Sequence, residues 1–229
     1  TISGNFVENG NGGAISINSG SFLMDKVSQG NGATIFGNSA ISQTGNTGYG
    51  GGVYITTGGQ DVDVDILAGS IVGNSSTRHG GGICVDLPSD EVTATVTVGE
   101  TGSNNLEYPN ITSNITLLSG GGLYVDGKHA SVVINSGKIQ DNSTVGYVDN
   151  PDIMNETGMV TLNGGDVKSV NVIYKGNKGD SINGEEIGAV EYTQRIVTDT
   201  NNKLVAPTFY RNGYKFVCWN TREDGLGVD

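Results

Sequence analysis

The chain has 229 residues, of which 38 are glycine, only 7 % aromatic and 16 % charged, and its formal net charge is −12. A chain so acidic is repelled by nucleic acid and by anionic membrane surfaces, and no apolar run is long enough to span a bilayer, so neither partner is expected. The polar bulk of Asn, Ser, Thr and Gly disfavours helix, because short polar side chains compete for backbone hydrogen bonds and glycine loses the most entropy in a helix, so an all-β chain is predicted.

In chain order, one short motif, Ile-x-x-Asn, recurs at Ile2/Asn5, Ile35/Asn38, Ile71/Asn74, Ile111/Asn114 and Ile139/Asn142. A second follows each of the first four copies: Asn11-Gly12-Gly13-Ala14-Ile15-Ser16-Ile17, then Gly50-Gly51-Gly52-Val53-Tyr54-Ile55, Gly80-Gly81-Gly82-Ile83-Cys84-Val85-Asp86 and Gly120-Gly121-Gly122-Leu123-Tyr124-Val125-Asp126. A third element alternates in character, as in Val62/Val64/Ile66, Val92/Ala94/Val96/Val98 and Val132/Ile134. The triplets at Gly50, Gly80 and Gly120 are spaced by 80 − 50 = 30 and 120 − 80 = 40 residues, a period that suits one turn of a solenoid. The prediction is a right-handed parallel β-helix with three strands per coil, since crossovers between parallel strands take that hand. Side chains alternate across a strand, so Ile15, Val53, Ile83 and Leu123 should stack inside, as should Ile17, Ile55, Val85 and Val125. Asn5, Asn38, Asn74, Asn114 and Asn142 should form a hydrogen-bonded ladder at one corner, and the glycine triplets a second corner that excludes a β-carbon. After Asn142 the triplet is replaced by Asp149-Asn150-Pro151-Asp152-Ile153-Met154, which reads as a terminal coil ending about Gly165.

This alternation of Ile-x-Gly-Asn with Gly-Gly-Gly-Val-Tyr-Ile resembles the glycine-rich β-helix repeats of large bacterial surface proteins and adhesins, within the broad pectin-lyase-like class. That class implies either carbohydrate-active enzymes or non-catalytic surface proteins. The repeat occupies residues 1–168 as about five coils, and residues 169–229 are assigned to a second module. There Pro207-Thr208-Phe209-Tyr210-Arg211-Asn212-Gly213-Tyr214-Lys215-Phe216-Val217-Cys218-Trp219 and the Asp224-Gly225 turn resemble a Listeria-Bacteroides repeat of internalin-like surface proteins. The resemblance implies a small β-grasp-like spacer or interaction module, with Cys218 where the family usually has glycine and the family's closing strand missing after Asp229. A secreted or cell-surface setting follows from both resemblances.

Candidate sites lie on the coils. The outward column Ser16, Tyr54, Cys84, Tyr124, flanked by Asp86 and Asp126, is predicted on an open sheet face, where tyrosine rings could cover a sugar and carboxylates accept its hydroxyls; plain decoration of an exposed sheet is the competing reading. Asp86 and Asp126, stacked at about one coil spacing, also match the separation of a retaining glycosidase pair. Asp61, Asp63 and Asp65 form an outward acidic row that invites Ca²⁺, yet alternate residues on a strand are nearly 7 Å apart, so an ion would need help from neighbouring coils or from Asp90 and Glu91. No other cofactor is called for. His79 and His129 are read as surface turn residues, Cys84 and Cys218 as free thiols, Cys84 with no base nearby to make it a nucleophile, and the five Asn-x-Ser/Thr sequons, three of them on the ladder, as incidental. The expected function is that of a non-enzymatic adhesin or rigid stalk recognising a surface glycan or protein; a β-helix glycosidase or polysaccharide lyase and a filament segment are the alternatives. The first coil is expected to meet a neighbouring coil, of the parent chain or of another subunit, at its N-terminal side.

Overall fold

A computed structural model describes residues 1–26, 32–89, 91–102, 108–146, 151–175 and 191–197. The Listeria-Bacteroides-like motif, with Cys218, lies outside these residues, as does Asp90. The chain divides into two compact units, Thr1–Asn171 with Arg195–Thr200, and Val172–Gln194 with Asn201–Asp229.

The first unit is a right-handed parallel β-helix. The Ile-x-x strands Ile2–Ser3, Thr34–Phe36, Ser70–Val72, Asn110–Thr112, Lys138–Gln140 and Asp166–Val167 lie side by side in one sheet. The strands that follow the glycine triplets form another, beginning Ile15–Ile17, Val53–Ile55, Ile83–Asp86, Leu123–Asp126 and Ile153–Asn155. The alternating strands Gly20–Met24, Val62–Ile66, Ala94–Val98, Ala130–Ile134 and Met159–Leu162 form a third. Each coil adds a short strand just past its asparagine: Phe6–Glu8, Ser39–Ile41, Ser75–Ser76, Ile115–Thr116 and Ser143–Thr144. The sharp Asn turn therefore separates two paired segments, because the chain resumes coil-to-coil pairing for two or three residues before the glycine corner.

Register keeps equivalent residues opposite one another through every coil. Ile2, Ile35, Ile71, Ile111, Ile139 and Val167 make one column; Ile15, Val53, Ile83, Leu123 and Ile153 make another, with Ile17, Ile55, Val85 and Val125 beside it. These are the predicted inward columns. Their buried members merge with Val62, Val64, Ile66 and their equivalents in one continuous core from Ile17 to Val167, in which apolar side chains stack on apolar side chains from coil to coil.

The two corners owe their shape to different constraints. Ahead of each ladder asparagine stands a residue with left-handed backbone: Gly4, Gly37 and Gly73 at φ 66°, 62° and 63°, then Ser113 and Asp141 at 56°. A Cβ on Gly4 or Gly37 would meet no atom within 4 Å, so the restriction there is torsional and not steric. Replacing Ser113 by glycine should therefore raise stability by about 0.5–1 kcal/mol, read as a higher urea midpoint, whereas Ser113→Val should lower it.

At the triplets crowding dominates. A Cβ on the middle glycine would lie 2.2 Å from the carbonyl oxygen of the next coil at Gly13 and 2.4 Å at Gly51, and on the third it would lie 2.6 Å from that of Gly82, Gly122 or Asp152 in turn. Real side chains do not tolerate such approaches. Each triplet is the place where successive coil backbones touch.

Candidate functional site

The ladder runs through the whole helix. Asn5, Asn38, Asn74 and Asn114 each donate Nδ2 to Oδ1 of the next asparagine at 2.9–3.0 Å. Asn142 donates to Asp152 Oδ1 at 3.0 Å. Asp152, 2 % exposed, holds the position that the third glycine takes in the other coils, since Leu123 N–H bonds its carbonyl as Ile83 N–H bonds that of Gly122. The sequence marks this segment as the replacement of a triplet; that its aspartate also ends the ladder is visible only in three dimensions.

Tyr54, Cys84 and Tyr124 share one column, with Ser16 before and Met154 after them. The expectation of an open tyrosine face has to be corrected: Tyr54 is 9 %, Cys84 0 % and Tyr124 7 % exposed. The covering groups stand one residue ahead of the triplets. His79 stacks on Tyr124 with ring centroids 4.2 Å apart, Tyr49 lies 5.6 Å from His79 and 6.2 Å from Tyr54, and Arg78 sits 5.5 Å over the Tyr49 ring while donating to its hydroxyl at 3.2 Å. Tyr49, Tyr54, Cys84, Tyr124 and Met154 thus form a second apolar cluster on the outside of the sheet. His79 is a half-buried lid residue and not a surface turn residue, and among the described residues its Nδ1 has no hydrogen-bond partner; His129 is exposed, as expected. The overlooked signal is the placement of Tyr49 and His79 in the same position relative to their triplets.

Electrostatics follow from this cover. Burial, reinforced by the Asp86 and Asp126 carboxylates, pushes the Cys84 thiol well up, so it is no nucleophile at neutral pH. Burial also raises the Tyr54 and Tyr124 phenols, with Asp86 and Asp126 respectively adding to the effect. Burial and the neighbouring Arg78 guanidinium bring His79 down to about 4, against the pull of Asp126. A histidine held neutral in the fold but free to protonate when unfolded contributes stability that is complete above its ordinary value of 6.5 and is lost as pH falls towards 4. Denaturation at pH 7 and at pH 4.5 should accordingly show a smaller acid loss in His79→Phe than in the parent chain.

Asp86 and Asp126 stand opposite one another on adjacent coils. Asp86 is half-buried and accepts from the Tyr54 hydroxyl at 3.0 Å. Burial raises its carboxyl, a trend that the Tyr54 hydrogen bond opposes and Asp126 strengthens. Asp126 accepts from the Thr157 hydroxyl at 2.5 Å and from Gly127 N–H at 2.9 Å. The structure therefore brings these two acids together, but beside covered and not open tyrosine rings.

The acidic row is not gathered in the same way. Asp63 lies between Ser21 and Thr95, and Asp65 between Leu23 and Thr97, so the adjoining strands offer hydroxyls or an alkyl chain in place of a second carboxylate. Asp61 accepts from Thr93 N–H at 2.8 Å and its hydroxyl at 3.1 Å, bonds that hold it below the usual carboxylate range. Among the described residues no three acidic, histidine or cysteine side chains converge on a point where a metal could sit.

Comparison with protein-family models, with curated proteins and with solved structures gives no significant match to this chain.

Proposed function

We propose that this chain is a non-enzymatic, rigid segment of a bacterial cell-surface protein, a stalk built from stacked coils. The supporting observation is the unbroken register of five coils around a single core, in which every coil is pinned to the next by backbone pairing and a ladder amide. Such a repeat holds position by nearest-neighbour contacts alone and needs no ligand to do so. The covered tyrosine rings take away the flat aromatic surface on which a pyranose would lie, which places an adhesive face behind the stalk reading.

The enzymatic reading is favoured by one observation, the raised carboxyl of Asp86 beside Asp126, because a glycosidase acid must keep its proton near neutral pH. One experiment separates the three readings: the purified chain is applied to a glycan array and incubated with soluble polysaccharides, in parallel with Asp86→Asn and Asp126→Asn. A stalk retains no glycan and releases no reducing ends. Turnover lost in both variants would make it a hydrolase, and retention lost in them an adhesin.

A further inference from the structure

The asparagine ladder has a direction. In every link the backbone N–H and Nδ2 of one asparagine both donate to one Oδ1, that of the following coil's asparagine in the first four links and that of Asp152, in the same coil, in the last: Asn5 to Asn38 at 3.0 and 2.9 Å, Asn74 to Asn114 at 3.0 Å each, Asn142 to Asp152 at 3.1 and 3.0 Å. At the Asp152 end the series closes, since a carboxylate accepts two N–H groups and has none to pass on. At the other end Asn5 is exposed, and no hydrogen bond from the described residues reaches its Oδ1.

The surroundings of Asn5 are equally one-sided. Ile2 is 39 % exposed, whereas Ile35, Ile71, Ile111 and Ile139 in its column are at most 2 %. Among the described residues Ile2–Ser3, Phe6–Glu8, Ile15–Ile17 and Gly20–Met24 are each the outermost strand of their sheet, so four sets of backbone N–H and C=O groups have no described strand beside them on one common side.

We propose that this face is a docking surface for one further coil of the same repeat, entering parallel and carrying an asparagine whose backbone N–H and Nδ2 both donate to Asn5 Oδ1. The inference rests on the stalk reading and deepens it by naming the neighbour. The partner must offer asparagine, because aspartate has no Nδ2–H and glutamine is one methylene too long for the register. A second copy meeting the first face to face is excluded by the same polarity. It would set two Asn5 Oδ1 acceptors against each other, and turning the amides over would only move the clash to Asn38 Oδ1, which already needs donors from Asn5.

The test joins a copy of residues 34–69 ahead of Thr1 in the full chain, so that Thr1 takes the place of Ser70, its equivalent in register. Hydrogen exchange is then followed in the four outermost strands, with Ile83–Asp86 as an internal reference for folding. Exchange in Ile2–Ser3, Phe6–Glu8, Ile15–Ile17 and Gly20–Met24 should slow by at least about tenfold, and less when the asparagine of the added copy is changed by Asn38→Leu. Unchanged exchange in those strands with the reference still protected, or equal protection with and without that asparagine, would overturn the proposal while leaving the stalk reading intact; loss of protection in the reference strand of the unmodified chain would instead remove the stalk reading. Sedimentation of the unmodified chain gives an independent arm: a monomer is expected, and a dimer abolished by the added coil would show that the face takes a second copy and overturn the proposal.

Discussion

Asn114→Leu should destabilise the β-helix by about 4 kcal/mol in urea denaturation, although leucine is nearly the same size. The side chain is fully buried and joins both neighbours at once: its Oδ1 accepts from Asn74 N–H and Nδ2 at 3.0 Å, and its Nδ2 donates to Asn142 Oδ1 at 3.0 Å and to the Ile71 carbonyl at 2.9 Å. An alkyl group in its place strands two donors and weakens two acceptors where no water can replace it, and each orphaned group costs about 1–3 kcal/mol. Asn5→Leu serves as the control. The same residue type in the same motif is exposed there, so its loss should cost less than about 1 kcal/mol. Equal losses at the two positions would mean that the ladder is not what binds the coils.

Gly81→Ala carries the second large effect. One added methyl would lie 2.5 Å from the Ile115 carbonyl oxygen and 2.6 Å from that of Gly121, both of them backbone and neither able to swing away. Relief requires the coils to part at the triplet, which lengthens the Gly81 N–H to Gly120 and Gly82 N–H to Gly121 bonds of 3.2 and 2.9 Å. A loss of about 3 kcal/mol is expected, with a lower thermal midpoint in circular dichroism. At Gly4 the same substitution meets open space and a left-handed φ of 66°, so its cost should stay near about 1 kcal/mol. The contrast separates a glycine required for its torsion from one required for its missing atom.

Much of this architecture was readable from residue order because each repeat states its own role. Ile-x-x-Asn placed the ladder and one core column; the triplets placed the close-contact corner; Val62, Val64 and Ile66 alternating with Asp63 and Asp65 placed inside and outside of the third strand. What residue order could not supply was the fate of the outer face. Strand alternation decides which side of a sheet Tyr54 and Tyr124 occupy, but says nothing of what folds over them from the corner, and it is Tyr49 and His79 that turn an expected open column into a covered one. The role of Asp152 was hidden for a related reason. It partners Asn142, only ten positions away, while every earlier link spans 28 to 40 residues, so no search at the repeat period would pair them. The short strands after each asparagine, two or three residues long, have too little alternation to announce themselves.

The parallel amides also give the helix an electrical polarity. Every ladder C=O points towards the first coil and every N–H towards the fifth, so five side-chain dipoles add along one line, each polarising the next. Their positive end falls on Asp152, where a carboxylate occupies the kind of place that acids take at the start of an α-helix. A β-helix of this design therefore carries along its corner what an α-helix carries along its axis, with an acidic side chain already seated at the end that attracts negative charge.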